Sequence, residues 1–136
     1  MMRIDNKVEI NSATLELLPS LVIKLRYKQD YEIELKDVKQ VERAFLNLAE
    51  EKDIYCLMDM TGKFNTITKE AQKFISKEAS IVREKKLIAS AVVIDNLSSR
   101  IITKLFVKLF KPPFKMKIFS TVSNAEAWLV KLKKTA

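Results

Sequence analysis

Over residues 21–28 apolar and polar positions alternate, with Leu21, Ile23, Leu25 and Tyr27 pointing one way and Lys24, Arg26 and Lys28 the other. A period of two marks a strand with one face on a core. A second strand pattern covers 13–18, and Pro19-Ser20 makes a turn between the two, so the pair reads as an antiparallel hairpin near a sheet edge. The first dozen residues mix charge with Val8 and Ile10 and read as a lead-in or an edge strand.

The period then changes. Val38, Val41, Phe45 and Leu48 recur at steps of three and four and form one apolar stripe, which predicts a helix over 35–50. Residues 54–58 are a short, nearly continuous apolar run, the mark of a strand covered on both faces, and Asp59 and Gly62 punctuate its exit. A second helix is expected from Thr68 as N-cap, with Ala71, Phe74, Ile75, Ala79 and Val82 inward. Residues 88–94 give another buried strand. A third helix over 98–110 stops before Pro112-Pro113, because proline disfavours helical geometry in the residue before it. A last short strand covers 116–119, and Ser123-Asn124-Ala125-Glu126 reads as a capping box opening a fourth helix, with Ala125, Trp128, Leu129 and Leu132 inward. The order β-β-α-β-α-β-α-β-α calls for an α/β domain with a mixed, mostly parallel sheet of about five strands and four helices.

Composition narrows the chemistry. The chain has no histidine, one glycine (Gly62) and one cysteine (Cys56) among 136 residues. Without histidine, Ser-His-Asp and Cys-His pairs and the usual zinc sites cannot be built. One glycine cannot form a P-loop or a dinucleotide-binding turn, which need several for close approach to phosphate. Cys56 has no internal disulfide partner, and neither a signal peptide nor a bilayer-length apolar run is evident, so a reducing cytoplasm is the expected setting. No repeat or linker divides the chain, and no cofactor or metal is called for.

The charge is unevenly placed. Residues 1–95 hold 16 Lys and Arg against 16 Asp and Glu, whereas 96–136 hold nine against Glu126 alone, so 9 − 1 accounts for the whole formal charge of +8. Such asymmetry suggests a field aimed at an anionic partner.

The stretch Ile54-Tyr55-Cys56-Leu57-Met58-Asp59-Met60-Thr61-Gly62, within this order of elements over roughly residues 13–134, resembles the third strand and its exit in the STAS-like fold of the SpoIIAA-like anti-sigma-factor antagonists. The resemblance implies one STAS-like domain over 1–136, non-enzymatic, whose loops and helices bind another macromolecule. In the antagonists the next helix opens with Asp-Ser-Ser-Gly, and its serine is phosphorylated by a partner kinase to break the complex. Here that stretch reads Thr68-Lys69-Glu70-Ala71, with Lys69 at the serine's place. The chain therefore looks closer to STAS-like proteins of unassigned role.

The strongest constellation is the third helix and its following loop. At about 100° per residue, Arg100, Lys104, Lys108 and Lys111 share a narrow stripe, while Ile101, Ile102, Leu105, Phe106, Leu109 and Phe110 fill about half the circumference. One reading is a surface helix, extended by Phe114, Lys115 and Lys117, that meets an unidentified protein partner or an anionic membrane surface. The plainer one packs the apolar half on the sheet and leaves the lysines as its solvated back. The apolar arc is wider than the roughly 100° that plain packing needs. A second function class is a small-molecule or lipid carrier with a pocket under this helix.

An enzyme is the third class, and it has little to work with. Asp59, at a strand exit, is a candidate ligand for a cation or hydroxyl, or a turn cap. Thr61, Thr66 and Thr68 are candidate phosphate acceptors, or caps. Cys56 lies among apolar neighbours, where thiols are inert. Lys24, Arg26 and Lys28 read as an edge-strand defence against aggregation. The phenylalanines sit at core spacings rather than among exposed bases, which argues against nucleic acid. The edge left by the opening hairpin is able to pair with a second copy as a homodimer.

Overall fold

The computed structural model describes residues 1–30 and 32–135. Its main sheet has seven strands: β1 (Met2–Ile4), β2 (Lys7–Glu9), β3 (Ala13–Leu17), β4 (Ile23–Tyr27), β6 (Ile54–Asp59), β8 (Leu87–Val93) and β9 (Lys115–Phe119), in the order β1-β2-β3-β4-β6-β8-β9. β1, β2, β3 and β4 pair antiparallel in succession, and β4, β6, β8 and β9 are mutually parallel. A small parallel pair, β5 (Glu32–Ile33) and β7 (Thr66–Ile67), stands apart. The expected mixed α/β order holds, but with more strands than the five expected. The opening dozen residues supply two of the extra strands, so β3 and β4 are interior and the hairpin is not at an edge. Three-residue strands with one buried side chain, Val8, leave too short an alternation to read.

In β4, Ile23, Leu25 and Tyr27 are buried as expected, but Leu21 is exposed, with φ of +67° in the turn that precedes the strand. Gly62 also has a positive φ, +69°, in the turn closed by Lys63 N–H donating to Met60 O at 3.1 Å, a place that suits glycine.

The helices cover the sheet unequally. α1 (Leu35–Ala49) buries Val38, Val41, Phe45 and Leu48 against β3 and β4. The expected second helix is broken into α2 (Lys69–Lys73), a π-helical turn (Phe74–Glu78) and α3 (Ser80–Arg83), with Ala79 extended between the last two. The reason is tertiary: the Glu42 carboxylate of α1 accepts from the Ile81 backbone N–H (3.2 Å) and Ser80 hydroxyl (3.4 Å), capping a new helix start. α4 (Leu97–Phe110) is capped by Asn96, which accepts from Ser99 N–H at 2.8 Å, and ends at Lys111 in the left-handed region. α5 (Val122–Thr135) starts two residues earlier than the sequence suggested: Thr121 Oγ1, rather than Ser123, caps it by accepting from the Asn124 N–H at 3.2 Å, and Glu126, freed from capping, accepts from the Ser20 hydroxyl at 2.7 Å.

Two cores result. On one face Leu15, Ile23, Leu25, Ile54 and Cys56 meet α1 and the broken second helix; on the other, Tyr55, Leu57, Ala89, Ala91 and Val93 meet Ala125 and Leu129 of α5.

Candidate functional site

The ends of parallel strands are the usual ligand positions in open sheets, and here their side chains are engaged with one another. Asp59 is buried on the face shared with β4 and pairs with Arg26 (3.2 Å) and Lys24 (3.8 Å). It also accepts from the Thr61 backbone N–H (3.1 Å) and hydroxyl (2.7 Å). Burial pushes its carboxyl up, but the Thr61 hydrogen bonds, followed by Arg26 and Lys24, outweigh that and hold it below the usual aspartate value. Arg26 in turn donates to the Thr61 carbonyl at 3.0 Å, and Lys28 pairs with Glu9 at 2.8 Å. Lys24, Arg26 and Lys28 therefore serve as counter-charges within the sheet, and β4, being interior, has no edge to defend.

The threonines divide. Thr61 belongs to the Asp59 network, Thr66 is exposed on β7, and Thr68 caps α2 by accepting from Ala71 N–H at 3.2 Å. Among the described residues no group of three His, Cys, Asp or Glu side chains is placed to hold a metal ion.

α4 carries three distinct rows rather than two. Ser99, Ile102, Thr103 and Phe106 face inward, but only Phe106 is buried, at 9% exposure. Leu97, Ile101, Leu105 and Leu109 follow one another at steps of four and form an outward ridge, exposed by 73, 51, 51 and 74%. Beside that ridge, at the same spacing, run Arg100, Lys104 and Lys108, with Lys111 just past the helix end. Arg100 donates to the Ser120 hydroxyl at 2.6 Å; Lys104, Lys108 and Lys111 have no ion pair or side-chain hydrogen bond among the described residues. Sequence periodicity revealed the width of the apolar arc but not its division into an inner and an outer row, which depends on how far the helix stands from the sheet.

Lys115 and Lys117 do not extend this stripe. In β9 they alternate with Met116, which lines the α4 side, and they register with Ala89 and Ala91 on the α5 side, where Lys117 Nζ lies 5.4 Å from the Phe119 ring centroid. The pleat sends them to the opposite face.

Between α4 and the sheet lies an apolar cavity of about 170 Å³. Its floor is a row across adjacent strands, Cys56, Ser90 and Met116, and its walls include Phe45 of α1, Phe74 of the π-helical turn and Phe114. Burial pushes the Cys56 thiol up to about 12, against a smaller opposing effect of its hydrogen bond with Ser90, so it is protonated and unreactive at neutral pH. No described helix is long and apolar enough to cross a membrane.

A family model described as a domain of unknown function, DUF7793, matches residues 18–133. The chain belongs to the DUF7793 family. The match begins after β3, so the first hairpin of this DUF7793 chain lies outside it. No curated protein matches the sequence. Among solved structures, an uncharacterized protein from the DUF3478 family with a SpoIIAA-like fold, from Shewanella loihica PV-4, is similar with a TM-score of 0.63 and 13% sequence identity, over 90% of this chain and 97% of that one. At that identity the likeness shows the fold alone. The DUF7793 chain has a SpoIIAA-like, STAS-like fold, as the sequence pattern implied.

Proposed function

We propose that this chain is a non-catalytic STAS-like binding module that docks on an anionic membrane surface through α4. The observation that carries the reading is the exposed row Leu97, Ile101, Leu105 and Leu109 lying alongside the basic row Arg100, Lys104, Lys108 and Lys111. A solvated helix back does not display four large apolar side chains in line. Lying flat at the lipid interface, the ridge enters the acyl boundary while the adjacent bases meet headgroups, each contributing about 1 kcal/mol near an anionic surface. The non-catalytic part is supported by the engagement of most polar candidates the sequence offered: Asp59 and Thr61 bond to each other, Thr68 caps a helix, and Cys56 is buried and protonated, which leaves Thr66 alone exposed among them.

Co-sedimentation with phosphatidylcholine vesicles, with and without phosphatidylglycerol, tests the proposal. The expected result is binding only to the anionic vesicles, falling steeply as salt rises above about 0.1 M, where the screening length is about 10 Å. Reversing the stripe (Arg100→Glu, Lys104→Glu, Lys108→Glu, Lys111→Glu) abolishes binding with the melting temperature nearly unchanged, and Leu105→Ser with Leu109→Ser weakens it at least tenfold, by roughly the transfer energy of one leucine or more. Binding that survives charge reversal overturns the proposal. So does failure to bind vesicles by a protein that binds an acidic polypeptide, which assigns the stripe to a protein partner instead.

A further inference from the structure

We infer that the cavity beneath α4 is a binding site for one compact, uncharged hydrocarbon group, the size of a single aromatic ring or the end of an acyl chain, with α4 as its lid. The inference stands independently of membrane docking, because it rests on the inner row of the helix and not on its outer rows.

Size is the first argument. At about 170 Å³ the space is close to the ~150 Å³ of an engineered apolar cavity that stays dry and takes benzene. Lining chemistry is the second. Aromatic and aliphatic side chains dominate, and the few polar groups have little to offer an ion. Glu42 is engaged as the cap of α3, the Asn65 amide donates to the Gln29 carbonyl at 3.0 Å, and Thr103 donates to the Ser99 carbonyl at 2.8 Å. No Lys or Arg lines the space, so a carboxylate or phosphate has no partner inside, and any charged part of a larger ligand must remain at the mouth.

Access is the third argument. Of α4, only Phe106 is buried, held by stacking on Phe110 with ring centroids 5.4 Å apart. Ile102 lines the cavity yet is 40% exposed, so the space reaches the surface along this helix. The helix is bounded by the Asn96 cap at one end and by Lys111, with φ of +46°, and Pro112-Pro113 at the other. Such short, irregular ends are where a lid turns.

The test uses the full chain in solution without vesicles. Amide resonances are followed by NMR while indole, and separately decanoate below its micelle concentration, is added. The expected result is a saturable shift centred on Cys56, Ser90 and Phe106 with one or both probes: indole alone assigns a ring ligand, decanoate alone an acyl chain, and both the shared hydrocarbon chemistry. Ile102→Trp plugs the space from its half-exposed side, where folding is not at risk, and Ser90→Leu fills it from the floor; each lowers affinity at least tenfold. No saturable shift with either probe overturns the inference, and so do shifts confined to Leu97, Ile101, Leu105 and Leu109 that the plug variants leave unchanged. The four-residue charge reversal keeps indole binding intact, so loss of vesicle docking and loss of cavity binding are separate outcomes.

Discussion

Burial by itself raises the Asp59 carboxyl, and the donors that fold around it reverse the sign. Because the native value lies below the unfolded one, the unfolded state binds the proton more readily in the interval between them. The stabilisation from this group is thus fully present above the ordinary aspartate value and is lost as the pH falls through the native one. Asp59→Asn keeps the shape and removes the charge. It is expected to cost roughly 1–3 kcal/mol near neutral pH, the lower part of that range reflecting the partial exposure of Lys24 and Arg26, and to flatten the acid limb of stability. Urea unfolding from pH 3 to pH 7 measures both. That Asp59 sits at a strand exit was legible from the apolar run before it. Its partners were not, because Lys24 and Arg26 belong to a strand more than thirty residues earlier, and local pattern carries no record of which strands become neighbours.

The broken second helix is the clearest case of tertiary structure overriding a periodic pattern. Ala71, Phe74, Ile75, Ala79 and Val82 are spaced for one continuous helix, and all are buried or half-buried as that spacing implies, yet the backbone widens at Phe74–Glu78 and restarts at Ser80. The restart depends on Glu42, which supplies the acceptor that a helix start otherwise lacks. Glu42→Ala is expected to destabilise the chain by about 1–2 kcal/mol, with faster amide exchange at Ile81 and Val82, whereas Glu42→Gln, which retains a side-chain oxygen, loses less than half of that. Hydrogen exchange read by NMR checks it. For α4 the sequence supplied the boundaries within one residue, and the Pro112-Pro113 stop is a local signal, whereas the Asn96 cap emerged only from the structure. What it could not supply was the height of the helix above the sheet, and that height decides whether its apolar residues face the cavity or the solvent.

Strand order follows from the crossovers, and it moves the protective lysines to a different place from the one the alternation suggested. The strand order ends at β1 and at β9, and the β9 edge displays Lys115 and Lys117, both exposed. Charged side chains on an edge strand resist pairing with a second sheet. Lys115→Val with Lys117→Val is therefore expected to make the chain associate as its concentration rises, seen as growth in light scattering, while vesicle docking through α4 persists. The overall α/β plan could be read because each crossover needs a helix between parallel strands, and the alternation of patterns shows that directly. The first hairpin could not, since its two three-residue strands carry a single buried side chain, Val8, too few for an alternation. The same strand order has an electrical consequence. With α5 packed on β9, α4 leading into it along the chain and the first ninety-five residues balanced in charge, the whole formal net charge belongs to the segment that ends the sheet at β9. On the docking proposed above, a negative surface about one screening length away would pull on that segment first and turn α4 toward the lipid before any side chain makes contact.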